Sequence, residues 1–221
     1  MTSWSNQPLS ATAADTPVKG GPGTPADNSS NITRLLSFWF DHPDGLVKWF
    51  KPWPAVDAEC QVWTTLVGAA RAGVLDGWAQ MPDGTLALLL LLDQMPRNVY
   101  RGTAAAFASD GAAVDVAVDA IARGDDRRVA LDRQMFFYLP LMHTESMLAR
   151  VGCLGLYQGM AARAEPGSAM RELLDGALGM AQVHVNIIRR FGRFPGRNAA
   201  LGRESTDEEL AFLREKGPRG F

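Results

Sequence analysis

Cysteine is scarce in these 221 residues: Cys60 and Cys153 are the only two. That number excludes a disulfide framework and a cysteine zinc site, and it leads us to expect a reducing, cytoplasmic setting. Long apolar runs are also missing. The longest, Leu86 to Leu92, is seven residues between Pro82-Asp83-Gly84 and Asp93-Gln94, whereas a membrane span needs roughly 20. It reads as a buried helix, and no membrane association is expected. The N-terminus lacks a charged start followed by an apolar block, so no secretory signal is expected either. Neither sign of charge dominates, with 22 basic against 24 acidic residues and a net charge of −2; a nucleic-acid binder would show a basic excess. Lysine is reduced to Lys19, Lys48, Lys51 and Lys216. With the abundant arginine and alanine, this reflects the base composition of a genome more than a function.

Common catalytic signatures are absent as well. No Gly-x-Gly-x-x-Gly follows a strand, no loop ends in Gly-Lys-Ser/Thr, and no Gly-x-Ser-x-Gly elbow occurs. No nucleotide cofactor is therefore expected, and neither cysteine has the basic neighbours of a nucleophile.

What is present is helical periodicity. Residues 1 to about 30, poor in aliphatics and rich in Pro, Gly, Ser, Thr and Ala, read as a disordered tail. Order is expected from Asn31, a plausible N-cap for residues 32–40. One helix should run from Pro54 to about Arg71 on the i, i+3, i+4 spacing of Val56, Cys60, Trp63, Leu66 and Val67. The Leu86–Leu92 helix, apolar all round, should be central. Further helices are expected from Ser109-Asp110 to Gly124, from Asp132 through Met142, from Thr144 to Ala164, and from a Ser168 cap through Phe191. A last one follows Ser205-Thr206-Asp207-Glu208, which has capping-box spacing. No period-2 strand run appears. The fold expected is all-α, about eight helices in one domain over residues 31–221, without a sequence repeat.

Four constellations break the apolar pattern. Asp93 and Gln94 end the central helix, where a buried carboxylate needs a partner; Arg97 and Arg101 are the nearest, with Asn98 between them. Pro140 interrupts the next apolar helix and should kink or end it, with His143 and Glu145 directly after, a workable acid/base pair. His184 falls on the apolar face of its helix. Finally, residues 188–205 interleave arginines, including Arg193 and Arg197, with Phe, Gly and Asn198. Arginine forks bind carboxylate or phosphate bidentately, so an anion site is expected there. His143, Glu145 and His184 also have the residue types of a two-histidine, one-carboxylate metal site, which stands as an alternative; no metal or cofactor is otherwise expected.

Together these blocks resemble a bacterial family of unknown function, domain of unknown function 924. The resemblance is carried by Leu35-Leu36-Ser37-Phe38-Trp39-Phe40, Trp49-Phe50, Leu91 to Asn98 with Arg101-Gly102-Thr103, and Ala106 to Asp110. It continues through Met135 to Pro140, His143, Glu145, His184, Ile187 to Asn198 and Leu201 to Thr206. It spans about residues 32–215 and implies a tetratricopeptide-like α-helical array with no settled activity. The chain departs from the family pattern at Ser146 and Asn186, where acidic residues are usual, in Met147-Leu148-Ala149-Arg150, which lacks the family's Asp-Gln pair, and at Gly196, where histidine is usual.

The function expected is that of a small-molecule enzyme. Asp93, His143, Glu145 and His184 would move protons, and Gln94, Arg97, Asn98, Arg101, Arg193, Arg197 and Asn198 would hold an anionic substrate. A helical-repeat module binding a peptide or protein, with exposed tryptophans such as Trp49, Trp53 or Trp78, is the alternative. A small anionic ligand is the expected partner; nucleic acid and membrane are not, and homo-oligomerisation is left open.

Overall fold

The structure, a computed structural model, describes residues 25–42 and 54–217. Ten α-helices occur among them: α1 (Pro25–Phe40), α2 (Pro54–Cys60), α3 (Thr64–Arg71), α4 (Pro82–Leu89), α5 (Met95–Val99), α6 (Asp110–Arg123), α7 (Leu131–His143), α8 (Met147–Ala161), α9 (Ala169–Phe191) and α10 (Asp207–Lys216). A 3₁₀ turn joins α2 to α3, and a π turn (Leu90–Gln94) joins α4 to α5. The path therefore reads as eight rods, and no strand occurs among the described residues. None of these helices is long and apolar enough to cross a membrane.

Several boundaries differ from expectation. α1 starts at Pro25, six residues before the expected cap at Asn31; the rest of the expected tail lies outside the described residues. α8 begins at Met147 and not at Thr144, because Ser146 is its N-cap, its Oγ accepting from Ala149 N. The capping box sits one residue later than its sequence spacing suggested, on Thr206 and Glu209. Pro140 does not end α7, which continues to His143.

The α4–α5 rod is the axis of the core. Leu86 to Leu92 are all between 0 and 2% exposed, and burying each leucine contributes about 1.5–3 kcal/mol. Helix α4 packs against α1, α6 and α7. The small residues Ala113, Ala117 and Ala120 are fully buried on α6 at i, i+4, i+7, a spacing that puts them on one face and lets the helices approach closely. Helices α6 to α9 then pack each against the next. A second, smaller cluster of Ile187, Ile188, Phe194 and Phe212 binds the end of α9 to α10. It anchors the 192–206 segment, which carries Arg197 back toward the rod.

Within α4–α5 the chain departs from ideal helix where its buried polar residues, Asp93 and Gln94, are placed. Pro96 has no N–H for the carbonyl four residues earlier, and that carbonyl, Leu92 O, accepts from Ser109 Oγ at 2.7 Å. Met95 N reaches back to Leu90 O, the π-type bond. Such bulges re-aim side chains at functional sites, and this one carries Asp93.

Candidate functional site

Asp93 is 1% exposed. Its carboxylate is met by His143 Nδ1 at 2.8 and 2.9 Å and by Arg97 Nη1 at 3.1 Å, and Gln94 Nε2 donates to it as well. Burial pushes the Asp93 carboxyl up, but the charge of Arg97 and the hydrogen bonds from His143 and Gln94 prevail and hold it well below the usual range. Burial depresses the imidazole of His143, helped by Arg97 and Arg197 and opposed by Asp93. At neutral pH the pair is thus an ionised carboxylate and a neutral imidazole. Nδ1–H donates to Asp93, which leaves the Nε2 lone pair available.

Two arginines flank this pair through a second carboxyl group. Asp110, at the start of α6, is 3.0 Å from Arg97 Nη2 and accepts from Arg197 Nη1 at 2.9 Å. Arg197 also donates to His143 O at 2.8 Å. Its guanidinium lies 4.5 Å from the centroids of Phe107 and Phe194. Arg150, 1% exposed, lies over Phe194 at the same distance. Arg150 donates to Thr144 O, while its Nε and Nη1 have no hydrogen-bond partner among the described residues. Burial first, and then mutual repulsion among the guanidiniums, brings both Arg150 and Arg197 down to about 10.

Of these groups Gln94, Arg97, His143, Phe107, Phe194 and Arg197 border a cavity of about 1000 Å³, while Asp93, Asp110 and Arg150 are not on its wall. Its polar lining is Gln94, Arg97, Asn98, Arg101, His143, His184 and Arg197, with Glu172 at its edge. Its apolar walls come from α7 (Met135, Leu139, Met142), from α9 (Leu173, Ala177, Met180), and from Phe107, Tyr157 and Phe194. His184 Nδ1 is 2.9 Å from Met180 O, its ring stands edge-on to Phe194 at 5.4 Å, and the two histidine rings are 6.3 Å apart. Burial above all, with the nearby cationic groups, pushes His184 down to about 3, so it too is neutral.

Not all expected site residues converge. Glu145 is not on the cavity wall. Arg203 grips it bidentately at 2.8 and 3.0 Å, and Phe194 N donates to it at 2.8 Å. Burial raises its pKa, but Arg203 and the Phe194 N–H bring it below normal. It is a fixed anion that pins the 192–206 segment, and His143 takes Asp93 as its partner instead. Arg193 is turned away, paired with Glu209 at 2.7 and 2.8 Å. Asn198 is buried beside that pair, donating to Ser205 and Glu209 and accepting from Arg203. Arg101 does line the cavity, at its rim, with Asp57 at 2.6 and 2.7 Å and Asn98 Oδ1 at 2.8 Å.

The two-histidine, one-carboxylate arrangement is not assembled. Glu145 is committed to Arg203, and no group of three or more His, Cys, Asp or Glu among the described residues is placed to hold a metal ion. Cys60 and Cys153 are buried, and burial raises Cys153 to about 12, which suits packing and not nucleophilic attack. Trp78 is 4% exposed; Trp49 and Trp53 lie outside the described residues. Of the departures from the family pattern, Ser146 caps α8, residues 147–150 form its first turn with Arg150 buried, Asn186 is exposed beside Gln182, and Gly196 alone lines the cavity.

Sequence reasoning missed Asp110, which reads as an ordinary first-turn acid of α6. It also missed the apolar walls, whose residues read simply as core. The signal for the walls was present in the three-and-four spacing of Met135, Leu139 and Met142 and of Leu173, Ala177 and Met180, which continues into His143 and His184.

Residues 35–217 match the model of a family described as bacterial protein of unknown function (DUF924). A solved protein of unknown function from Agrobacterium tumefaciens is 37% identical, with a TM-score of 0.72 over 86% of this chain and 99% of that one. No curated protein matches. Conserved architecture over almost the whole described chain leads to one conclusion: the chain belongs to the bacterial DUF924 family of unknown function.

Proposed function

We propose that the protein is a small-molecule enzyme that moves a proton to or from an anionic substrate in the α7–α9 cavity, with no nucleotide cofactor. His143 is the acid/base, and Asp93 is the positioning residue that fixes its tautomer. Arg97 and Arg197 hold the anion, assisted by Gln94 and Asn98. The carrying observation is the Asp93–His143 pair: a buried carboxylate grips Nδ1 at 2.8 Å on a residue that also lines a cavity flanked by two guanidiniums. A general base needs its lone pair free at working pH, and a depressed imidazole pKa provides that. Asp93 and Asp110 partly offset the repulsion between the two arginines, and N–H donors remain on both for a ligand. The successive packing of α6 to α9 is in keeping with a tetratricopeptide-like array, and two buried thiols are in keeping with the cytoplasm. Burial of Trp78 and the polar end of the cavity favour a small ligand over a peptide.

The test is capture of bound metabolites from a cell extract by wild type and His143→Gln, followed by mass spectrometry of turnover. Both proteins should retain the same anionic compounds, only wild type should convert them, and the rate should hold through neutral pH and fall only below the ordinary imidazole range, where the depressed His143 is at last protonated. Equal turnover by both proteins, or capture of cationic compounds alone, would refute the reading.

A further inference from the structure

The cavity has a direction. On α7 its lining runs Met135, Leu139, Met142, His143, and on α9 it runs Leu173, Ala177, Met180, His184. In both helices the apolar residues come first and the histidine last, and the two imidazoles meet with their rings 6.3 Å apart. At 1.5 Å per residue, the apolar stretch behind the histidines is about 12 Å along α7 and about 16 Å along α9. The guanidiniums of Arg97 and Arg197 cluster at the histidine end, tied to His143 through Asp93 and through the His143 carbonyl. Glu172, exposed and a residue beyond Leu173, sits at the other end.

The charge at the histidine end does not balance. Four guanidiniums (Arg97, Arg150, Arg197, Arg203) face three carboxylates (Asp93, Asp110, Glu145), and both histidines are neutral. Arg150 is the cation left over. It is buried off the cavity wall, against the Phe194 ring that Arg197 also contacts, with two nitrogens lacking a hydrogen-bond partner among the described residues. A buried uncompensated charge is costly, and a single anionic group entering beside Arg197 offsets it.

We infer that the ligand is an amphiphilic monoanion, a carboxylate carrying an unbranched alkyl or acyl chain, bound with its head at Arg97, Arg197 and His143 and its chain along the α7–α9 wall. The inference rests on the anion-binding half of the proposed function and not on its proton transfer. A dianionic phosphate head overshoots the single spare charge, and a short polar acid leaves the methionine and leucine walls wet. Glu172 repels a carboxylate that enters chain-first, which fixes the orientation. Gly176 lines the slot, and a Cβ placed there meets nothing within 4 Å, so a larger side chain at that position enters the slot without forcing the backbone.

The test is titration calorimetry with the alkanoate series from butyrate to decanoate, with 1-decanol and decyl phosphate as comparison ligands. Affinity should rise about fourfold for each methylene buried and level off once the chain outruns the slot, with decanol and decyl phosphate weaker than decanoate. Gly176→Leu should flatten the series while leaving butyrate unchanged, and Leu173→Glu should do the same by charge. A flat series in wild type, or decanol binding as tightly as decanoate, overturns the inference while leaving an anion site intact. Failure of every anion to bind overturns the anion reading too. A dimer that Gly176→Leu dissociates, with no alkanoate bound, gives the slot to a second copy of the chain and also overturns it.

Discussion

Acidification should destabilise this protein through His184 well before its carboxylates protonate. In the folded chain the ring is 3% exposed and held neutral, its pKa pushed down to about 3 by burial and by the cationic groups around it. In the unfolded chain it titrates near its ordinary value of about 6.5. Between those values the unfolded state binds a proton that the folded state refuses, so stability falls as pH falls. From pH 7 to pH 6 the loss from this one residue is about 0.7 kcal/mol, and from pH 7 to pH 5 it is about 2 kcal/mol. Because pH 5 lies well above the folded pKa, nearly all of that figure comes from protonation of the unfolded chain. Urea unfolding at pH 7, 6 and 5 should show it directly. His184→Gln, with no titrating ring, should lose about 2 kcal/mol less than wild type over the same interval, whatever the substitution costs at pH 7. The depressed His143 adds a loss of the same sign to both proteins and largely drops out of the difference. Equal pH dependence in the two proteins, within about 0.5 kcal/mol, would show that His184 is not held neutral in the fold.

Other substitutions test other parts of the structure. Asp93→Asn leaves Arg97 and the His143 Nδ1–H without their anion, and should cost about 3–5 kcal/mol in denaturant unfolding; a cost below about 1 kcal/mol would remove Asp93 from its place in the pair. Gly84→Ala puts a Cβ 2.2 Å from the Trp78 carbonyl oxygen, which backbone must move to relieve, so a loss of about 3 kcal/mol or more is expected and an unchanged melting temperature would contradict the packing. Gly176→Ala fills open space on α9 and restricts the unfolded chain, so it should stabilise by about 0.5–1 kcal/mol; a loss of stability would mean that this face of α9 is packed.

The sequence by itself determined the helices and most of their ends, because those depend on interactions a few residues apart. Ser168 caps α9, Gly124 in the left-handed region closes α6, and the run Leu86 to Leu92 could only be central. It also marked His143, Arg97 and Arg197 as polar groups at breaks in the apolar pattern, and all three line the cavity. Partnership was decided only in three dimensions. Glu145 is two residues from His143 in the chain and bonds Arg203 instead, while Asp93, fifty residues away, holds the imidazole. Arg193 and Arg197 are four apart, yet the turn at Gly192 and the 3₁₀ segment Pro195–Arg197 send one to Glu209 and the other to Asp110. A side chain's chemistry is local, but which charge neutralises it depends on how rods pack, and packing is a property of the whole core.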